Sequence, residues 1–278
     1  MDAQRNRLRR ARARGVVSIA FAALCFGPAG CAGTWDEVWS RDFSVKEWWT
    51  PTDPLVVLAK DSDGDHRARA LKALKEPKFN QGNDKDQDAV VQILVTAAAT
   101  ERAALCRLAA IETLQTFKDP RVVRGLEDAY YRATSFPAET ASIIRCVALE
   151  GLGNTGQPAA IDHLVRVLRE PPVAANAAED EKQQKTNERT AAARALGHFR
   201  GRAATDALVA TLKTEPDVAL RGRAHEALVA STGKTFGPEA KLWEDYLQNA
   251  GKDQPAGVVE EKSLGDKIID VVVPVGLR

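Results

Sequence analysis

RARALKAL, residues 67–74, places an Arg, an Ala and a Leu at spacings of three and four, and the frame returns four times in this chain of 278 residues. RLAAIETL carries it as Arg107, Ala110 and Leu114, and RCVALEGL as Arg145, Ala148 and Leu152. RTAAARAL has Arg189, Ala192 and Leu196, and RGRAHEAL has Arg221, Ala224 and Leu228. The intervals between the closing leucines are 40, 38, 44 and 32 residues. A period of that size signals stacked supersecondary units, none of which buries its apolar face alone. Spacings of three, four and seven set the three side chains on one helical face. Ala admits a close neighbour, Leu fills space, and Arg on the same stripe needs a partner, because an unpaired buried charge is costly.

A second apolar helix accompanies each copy. Twelve residues after Leu114, Leu152 and Leu196 stand Leu126, Leu164 and Leu208. LGNTGQPAAIDHL and LGHFRGRAATDAL align without a gap, matching Gly153 to Gly197 and Asp162 to Asp206. Glycine in these connections suits helix ends. No stretch alternates like a strand between turn signals, and IIDVVVPVG, residues 268–276, is the one β-rich run. The pattern predicts an all-α chain, a right-handed α-solenoid of about five helix pairs over residues 53–250.

Composition agrees. The chain is 44% hydrophobic and 28% charged, and Ala and Leu are strong helix formers. The formal charge of +1 hides an asymmetry, since six Arg and one Asp fall in the first thirty residues. The remainder holds 33 basic against 37 acidic side chains, a balance of −4. Such a body has no electrostatic case for nucleic acid.

The repeats resemble the HEAT-like repeats of bacterial proteins, including those named after phycobilisome lyases. That family carries an Arg near the start of its second helix, an Ala stripe and a terminal Ala-Leu. In it, an Asp four residues before the Arg often ties neighbouring repeats. Only Asp63 and Asp217 stand there in this chain; the middle units have Ala103, Ala141 and Lys185. Their Arg must find other acceptors or face outward. The resemblance implies a non-enzymatic scaffold whose second helices line a face that holds a protein or peptide, with the ladder Arg67, Arg107, Arg145, Arg189 and Arg221 serving packing. It implies no cofactor and no small-molecule substrate.

The first thirty residues read as an address. MDAQRNRLRRARARG is a charged lead, and VVSIAFAALCFGPAG is apolar and small, as in a secretory signal. Val16–Phe26 is too short to span a bilayer as a helix. Pro28-Ala29-Gly30-Cys31 resembles a lipobox, with Pro28 in the usual Leu position. The resemblance implies diacylglycerol on Cys31 and an acylated N-terminus, hence an envelope lipoprotein facing the periplasm or exterior. Plain secretion and a retained anchor are the alternatives. Residues 31–52 concentrate Trp35, Trp39, Trp48 and Trp49, open to capping the first repeat, to a membrane surface or to a partner. CAGTWDEVWSRDFSVKEWW and TGKTFGPEAKLWEDYL resemble the flanks of lipid-anchored HEAT proteins. Residues 251–278 are expected to be a mobile tail, with VVEEKSLGDKIIDVVV able to add a short helix or strand.

Motifs that spell chemistry fail on context. DSDGDHRARALKAL, residues 61–74, has the acids of a calcium loop, but Gly64 falls at position 4 and Lys72 at position 12. Asp63 or Asp65 fits a helix cap instead. GLGNTG, residues 151–156, follows a helix rather than a strand, and STGKTFG, residues 231–237, lacks the first P-loop glycine. His66, His163, His198 and His225 show no metal-ligand pair. Cys106 and Cys146 read as small buried hydrophobes, with a disulfide permitted in an oxidising compartment. Residues 76–88 and 170–187 break the period, are polar, and are expected to be loops. The rival functions are a lyase- or chaperone-like accessory component and a structural lipoprotein without a specific client.

Overall fold

The computed structural model describes residues 53–174, 176–250 and 257–258. The expectations placed on residues 1–52, Cys31 and the tryptophans included, lie outside the described residues, as does most of the tail. No helix among the described residues is long and apolar enough to cross a membrane.

Among the described residues five helix pairs follow one another: α1 (Pro54–Lys60) with α2 (Gly64–Ala73), α3 (Asp84–Thr100) with α4 (Ala104–Leu114), α5 (Arg121–Arg132) with α6 (Ala138–Thr155), α7 (Ile161–Leu168) with α8 (Glu179–Leu196), and α9 (Arg202–Thr214) with α10 (Val218–Thr232). A single helix, α11 (Ala240–Ala250), closes the series. Each ladder Arg sits in a second helix. Those second helices stack in order from α2 to α10, and in the first-helix layer α3 packs on α5, α7 on α9 and α9 on α11. The chain is thus an all-α solenoid.

Local chemistry sets the boundaries. Asp53 caps α1 by accepting from the Leu55 amide at 2.9 Å, with Pro54 in the first turn. Asn83 and Asp86 form a reciprocal capping box at α3. Gly156 (φ 65°) and Gly233 (φ 68°) end α6 and α10 in the left-handed region. The two segments expected as loops are so in part: residues 76–83, with a 3-10 turn at Pro77–Phe79, and residues 170–174 and 176–178 lie outside the α-helices, while the remainder of each segment opens a helix. Asn83 begins α3 inside 76–88. The run EDEKQQK of the other insertion extends α8 back to Glu179, because its residues favour helix and its acids sit at the positive end of the dipole. One short β pair also appears, Phe199–Arg200 antiparallel to Gly257–Val258, at the turn between α8 and α9. Two residues per strand leave no alternation to read.

The repeated positions form the core. Ala110, Ala148, Ala192 and Ala224 are fully buried, as are Leu114, Leu152, Leu196 and Leu228. Leu126, Leu164 and Leu208 bury equally well from the first-helix layer. Neighbouring second helices approach closely where glycine permits. A Cβ at Gly153 would lie 2.8 Å from Ala195 Cα, and one at Gly197 would lie 3.1 Å from Ala227 Cα. Both obstacles are backbone, so the helices must part to admit a side chain. Gly153→Val is expected to lower stability by about 1–3 kcal/mol. The check is a urea midpoint that falls with an unchanged slope.

Candidate functional site

The acceptors of the five arginines show what the ladder does. Arg67 Nη1 donates to Leu58 O at 2.7 Å, in the last turn of α1, and its Nη2 donates to Glu101, at the inter-helix turn of the next pair. Arg107 Nε donates to Glu101 O at 2.8 Å, while its Nη1 and Nη2 reach Arg132 O at 2.8 Å and Ser135 Oγ at 2.9 Å, again one pair onward. Arg189 Nε donates to Leu168 O at 3.2 Å and its Nη2 to Glu215, the C-cap of α9. Arg145 departs from the scheme: its Nη1 donates to Glu188 Oε1 on α8 at 3.0 Å, and the Tyr130 ring lies 5.7 Å from its guanidinium. Arg221 Nη1 donates to Glu215 O at 2.7 Å and Pro216 O at 3.1 Å, both in its own turn. The first four arginines thus bind each pair to the next.

The carboxylate acceptors that the repeat frame did not point to are Glu101 for Arg67, Glu188 for Arg145 and Glu215 for Arg189, while Arg107, without an aspartate, is served by backbone carbonyls and Ser135. A signal existed for two of them, since Glu101 and Glu215 each follow a Thr that ends a first helix. Asp63 and Asp217, at the family's position, act as helix caps. Asp63 Oδ1 accepts from the amides of Asp65 at 2.9 Å and His66 at 3.0 Å, and Asp217 Oδ1 from that of Leu220 at 2.9 Å. Asp61 accepts from the Asp63 amide at 2.8 Å and meets His66 Nδ1 at 2.7 Å. These backbone hydrogen bonds hold the Asp61 and Asp63 carboxyls below their ordinary range. The acidic stretch is therefore a capped helix start.

The other chemistry-like residues have equally local roles. GLGNTG lies along α6 up to its stop at Gly156, and STGKTFG runs over the stop of α10 at Gly233. Cys106 is buried and donates to Gly64 O at 3.2 Å. Burial, with Glu188 nearby, pushes the Cys146 thiol up to about 11. Both are free thiols kept in the weakly nucleophilic form. Among the described residues no three metal-ligating side chains converge. Residues 76–88 bind back to the scaffold: Glu76 accepts from Gln87 Nε2 at 2.9 Å and from the Lys118 amide at 2.8 Å. Asp119, held well below the usual carboxylate range chiefly by its bond from Arg121, accepts from Gln87 as well.

His163 is the one strongly displaced imidazole. Its side chain is fully buried on α7, edge-on to Tyr130 and Tyr131 with ring centroids at 5.0 and 5.4 Å. Nδ1 stands 2.9 Å from Arg166 Nη2, and since Arg only donates, the ring accepts there and is neutral. Burial, then the charge of Arg166, pushes its pKa down to about 4, outweighing the opposite pull of Glu170. The native state therefore binds fewer protons than the unfolded chain between about pH 6.5 and 4. Its contribution to stability is full above pH 6.5 and is lost as pH falls through that window, by about 3 kcal/mol at pH 4. His163→Gln, which keeps an acceptor for Arg166, is expected to flatten the fall in a series of unfolding midpoints from pH 7 to 4.

The outer side of the second helices carries a patterned surface. Five residues after each ladder Arg stand Lys72, Glu112, Glu150, Arg194 and Glu226. Lys72 pairs with Glu112 at 2.7 Å and Arg194 with Glu150 at 2.8 Å. Two residues before the Arg stand Leu105 on α4 and Ile143 on α6, 48% and 56% exposed. Leu108, Cys146 and Val147 lie half-buried on the same face. A lone exposed Leu means little. Here large apolar side chains occupy the same repeat position on adjacent helices, with polar equivalents, Asp65 and Asn187, on either side. A second apolar feature is a groove of about 470 Å³ between α1 and α3, walled by Leu55, Leu58 and Ile93 and ending at the Arg67–Glu101 pair.

Comparison with known families agrees with this geometry. The model for HEAT repeats matches residues 52–144, and that for PBS lyase HEAT-like repeats matches residues 144–170 and 188–214. No curated protein matches the chain.

Proposed function

We propose that this chain, an α-solenoid of HEAT repeats, is a non-enzymatic scaffold that binds a protein or peptide segment across its second helices. The observation that carries this reading is the paired exposure of Leu105 and Ile143 at one repeat position, framed by the polar Asp65 on α2 and Asn187 on α8. An apolar centre with a polar rim is the ordinary anatomy of a protein interface. The ladder arginines serve the scaffold, being spent on carbonyls and carboxylates of neighbouring turns. Cys31, after Pro28-Ala29-Gly30, carries lipid and holds the scaffold at an envelope membrane, facing the periplasm or exterior. Two or three acyl chains give lasting attachment where one does not.

The test is crosslinked recovery from the protein's own envelope, with wild type, Cys31→Ser and Leu105→Glu/Ile143→Glu compared. One stoichiometric protein is expected with wild type and with Cys31→Ser, and it disappears with the double Glu variant. The Glu variant should melt within about 0.5 kcal/mol of wild type, as surface changes do. Retention of that protein by the Glu variant would remove the interface from α4 and α6. Unchanged detergent partitioning of Cys31→Ser would remove the anchor.

A further inference from the structure

The stack of second helices ends at α10, and the register of the repeats shows which of its faces lacks a neighbour. The position four after each ladder Arg is Leu71, Ile111, Leu149 and Ala193 in the first four units, all fully buried. In α10 it is His225, half-exposed. The position eight after the Arg is Gly153 in α6 and Gly197 in α8, where each helix touches the next one. Its equivalent in α10 is Val229. On the same stripe Val218 is 72% exposed, and a Cβ at Gly222 would meet nothing within 4 Å. The loop before α11 covers part of the stripe, through the His225 Nε2 bond to Phe236 O at 2.8 Å. The half bearing Val218, Arg221 and Gly222 stays open.

The ladder repeats the message. Arg67, Arg107, Arg145 and Arg189 each reach an acceptor one pair onward, whereas among the described residues Arg221 reaches Glu215 O and Pro216 O, both in its own turn. α11 packs on α9 and so takes the first-helix place of a sixth unit. The chain after α11 is next in line for the second-helix place. Its residues Gly257–Val258 pair with Phe199–Arg200, and that strand touches both α9 and α10. The segment beyond Val258 therefore starts beside the fifth pair.

We propose that residues 259–278 cover the open face of α10, with Asp270 completing the rung of Arg221. The reach is sufficient: eleven residues lie between Val258 and Asp270, and the twelve steps span up to about 40 Å, against about 22 Å for the length of α10. The chemistry fits as well. Ile268-Ile269-Asp270-Val271-Val272-Val273 is an apolar run with one acid in it. The open face offers an apolar Val218 beside a guanidinium with donors to spare.

Hydrogen exchange of the α10 amides tests this in the full chain, in its Asp270→Asn variant and in a chain ending at Val258. The full chain is expected to protect the first half of α10 at least tenfold more than the shortened one, with α4 exchange unchanged as the control for folding. Asp270→Asn should lose part of that protection. In thermal unfolding, Arg221→Ala should lower the midpoint of the full chain more than that of the shortened one. Equal α10 exchange in the full and shortened chains would overturn the proposal in favour of a mobile tail. Protection that rises with protein concentration would overturn it in favour of a second copy. Protection lost on shortening but untouched by Asp270→Asn would overturn the assignment of the rung.

Discussion

Replacing Arg189 with Met is expected to destabilise the protein by about 3–5 kcal/mol, while the same change at Arg221 costs about 1 kcal/mol or less. Arg189 and Glu215 are both buried, with side chains 10% and 5% exposed. Removing the cation leaves Glu215 in a dry site with only the Asp217 amide, at 3.3 Å, as a donor. That uncompensated charge supplies most of the cost, rather than any large net gain from the pair itself. Arg107 should rank near Arg189: it too is buried and makes three hydrogen bonds, one to a carbonyl and one to a hydroxyl of the next pair. Arg145 should rank lower, because its side chain is 24% exposed, although Glu188 beneath it is almost wholly buried. Arg67, at 23%, belongs with it. Urea unfolding of the five Arg→Met variants reads this order directly. Five equal midpoints, all matching wild type, would mean that the ladder holds nothing together.

The second large effect is expected at α11, the helix after the fifth pair. Trp243→Ala should cost about 3–5 kcal/mol, as for other buried aromatic truncations. Trp243 is completely buried on α11, and its Nε1 donates to Gly237 O at 2.9 Å. Phe236 and His225 meet its ring edge-on at 5.1 and 6.0 Å. The residue therefore fixes the lead-in loop and α11 against the fifth pair at once. A terminal repeat needs such an ending, since its outer face has no following unit. Removing the ring should also expose α10, so exchange there should quicken beyond the global change. Thermal unfolding within 1 kcal/mol of wild type would show that α11 is an appendage and not a cap.

Much of this architecture was legible in the sequence, because the repeat frame is also the packing frame. Arg, Ala and Leu at fixed spacing became the ladder, the helix contact and the core. The two nucleotide-like motifs fell on helix stops, where glycine is wanted for its left-handed backbone. The partners of the ladder were harder to read. Glu101, Glu188 and Glu215 lie 34, 43 and 26 residues from the Arg they serve. Such distances carry no local periodicity and appear only once the pairs are stacked. The start of α8 was missed for a different reason. EDEKQQKTN has no apolar stripe, and its helicity comes from propensity, from an acidic first turn and from the anchoring of Lys185 by Glu170 and Glu188. Leu105 and Ile143 lie outside the Arg-Ala-Leu frame, and only their exposure sets them apart from the other apolar residues of the repeats.

The measurement that bears most directly on the account is a double-mutant cycle between Arg189 and Glu215, using Arg189→Met, Glu215→Leu and the two together. If the ladder ties each pair to the next, either single change costs several kcal/mol and the double change costs clearly less than their sum, with an interaction energy of about 1–3 kcal/mol. Single costs that simply add would contradict it, and the five pairs would then be joined by apolar packing alone.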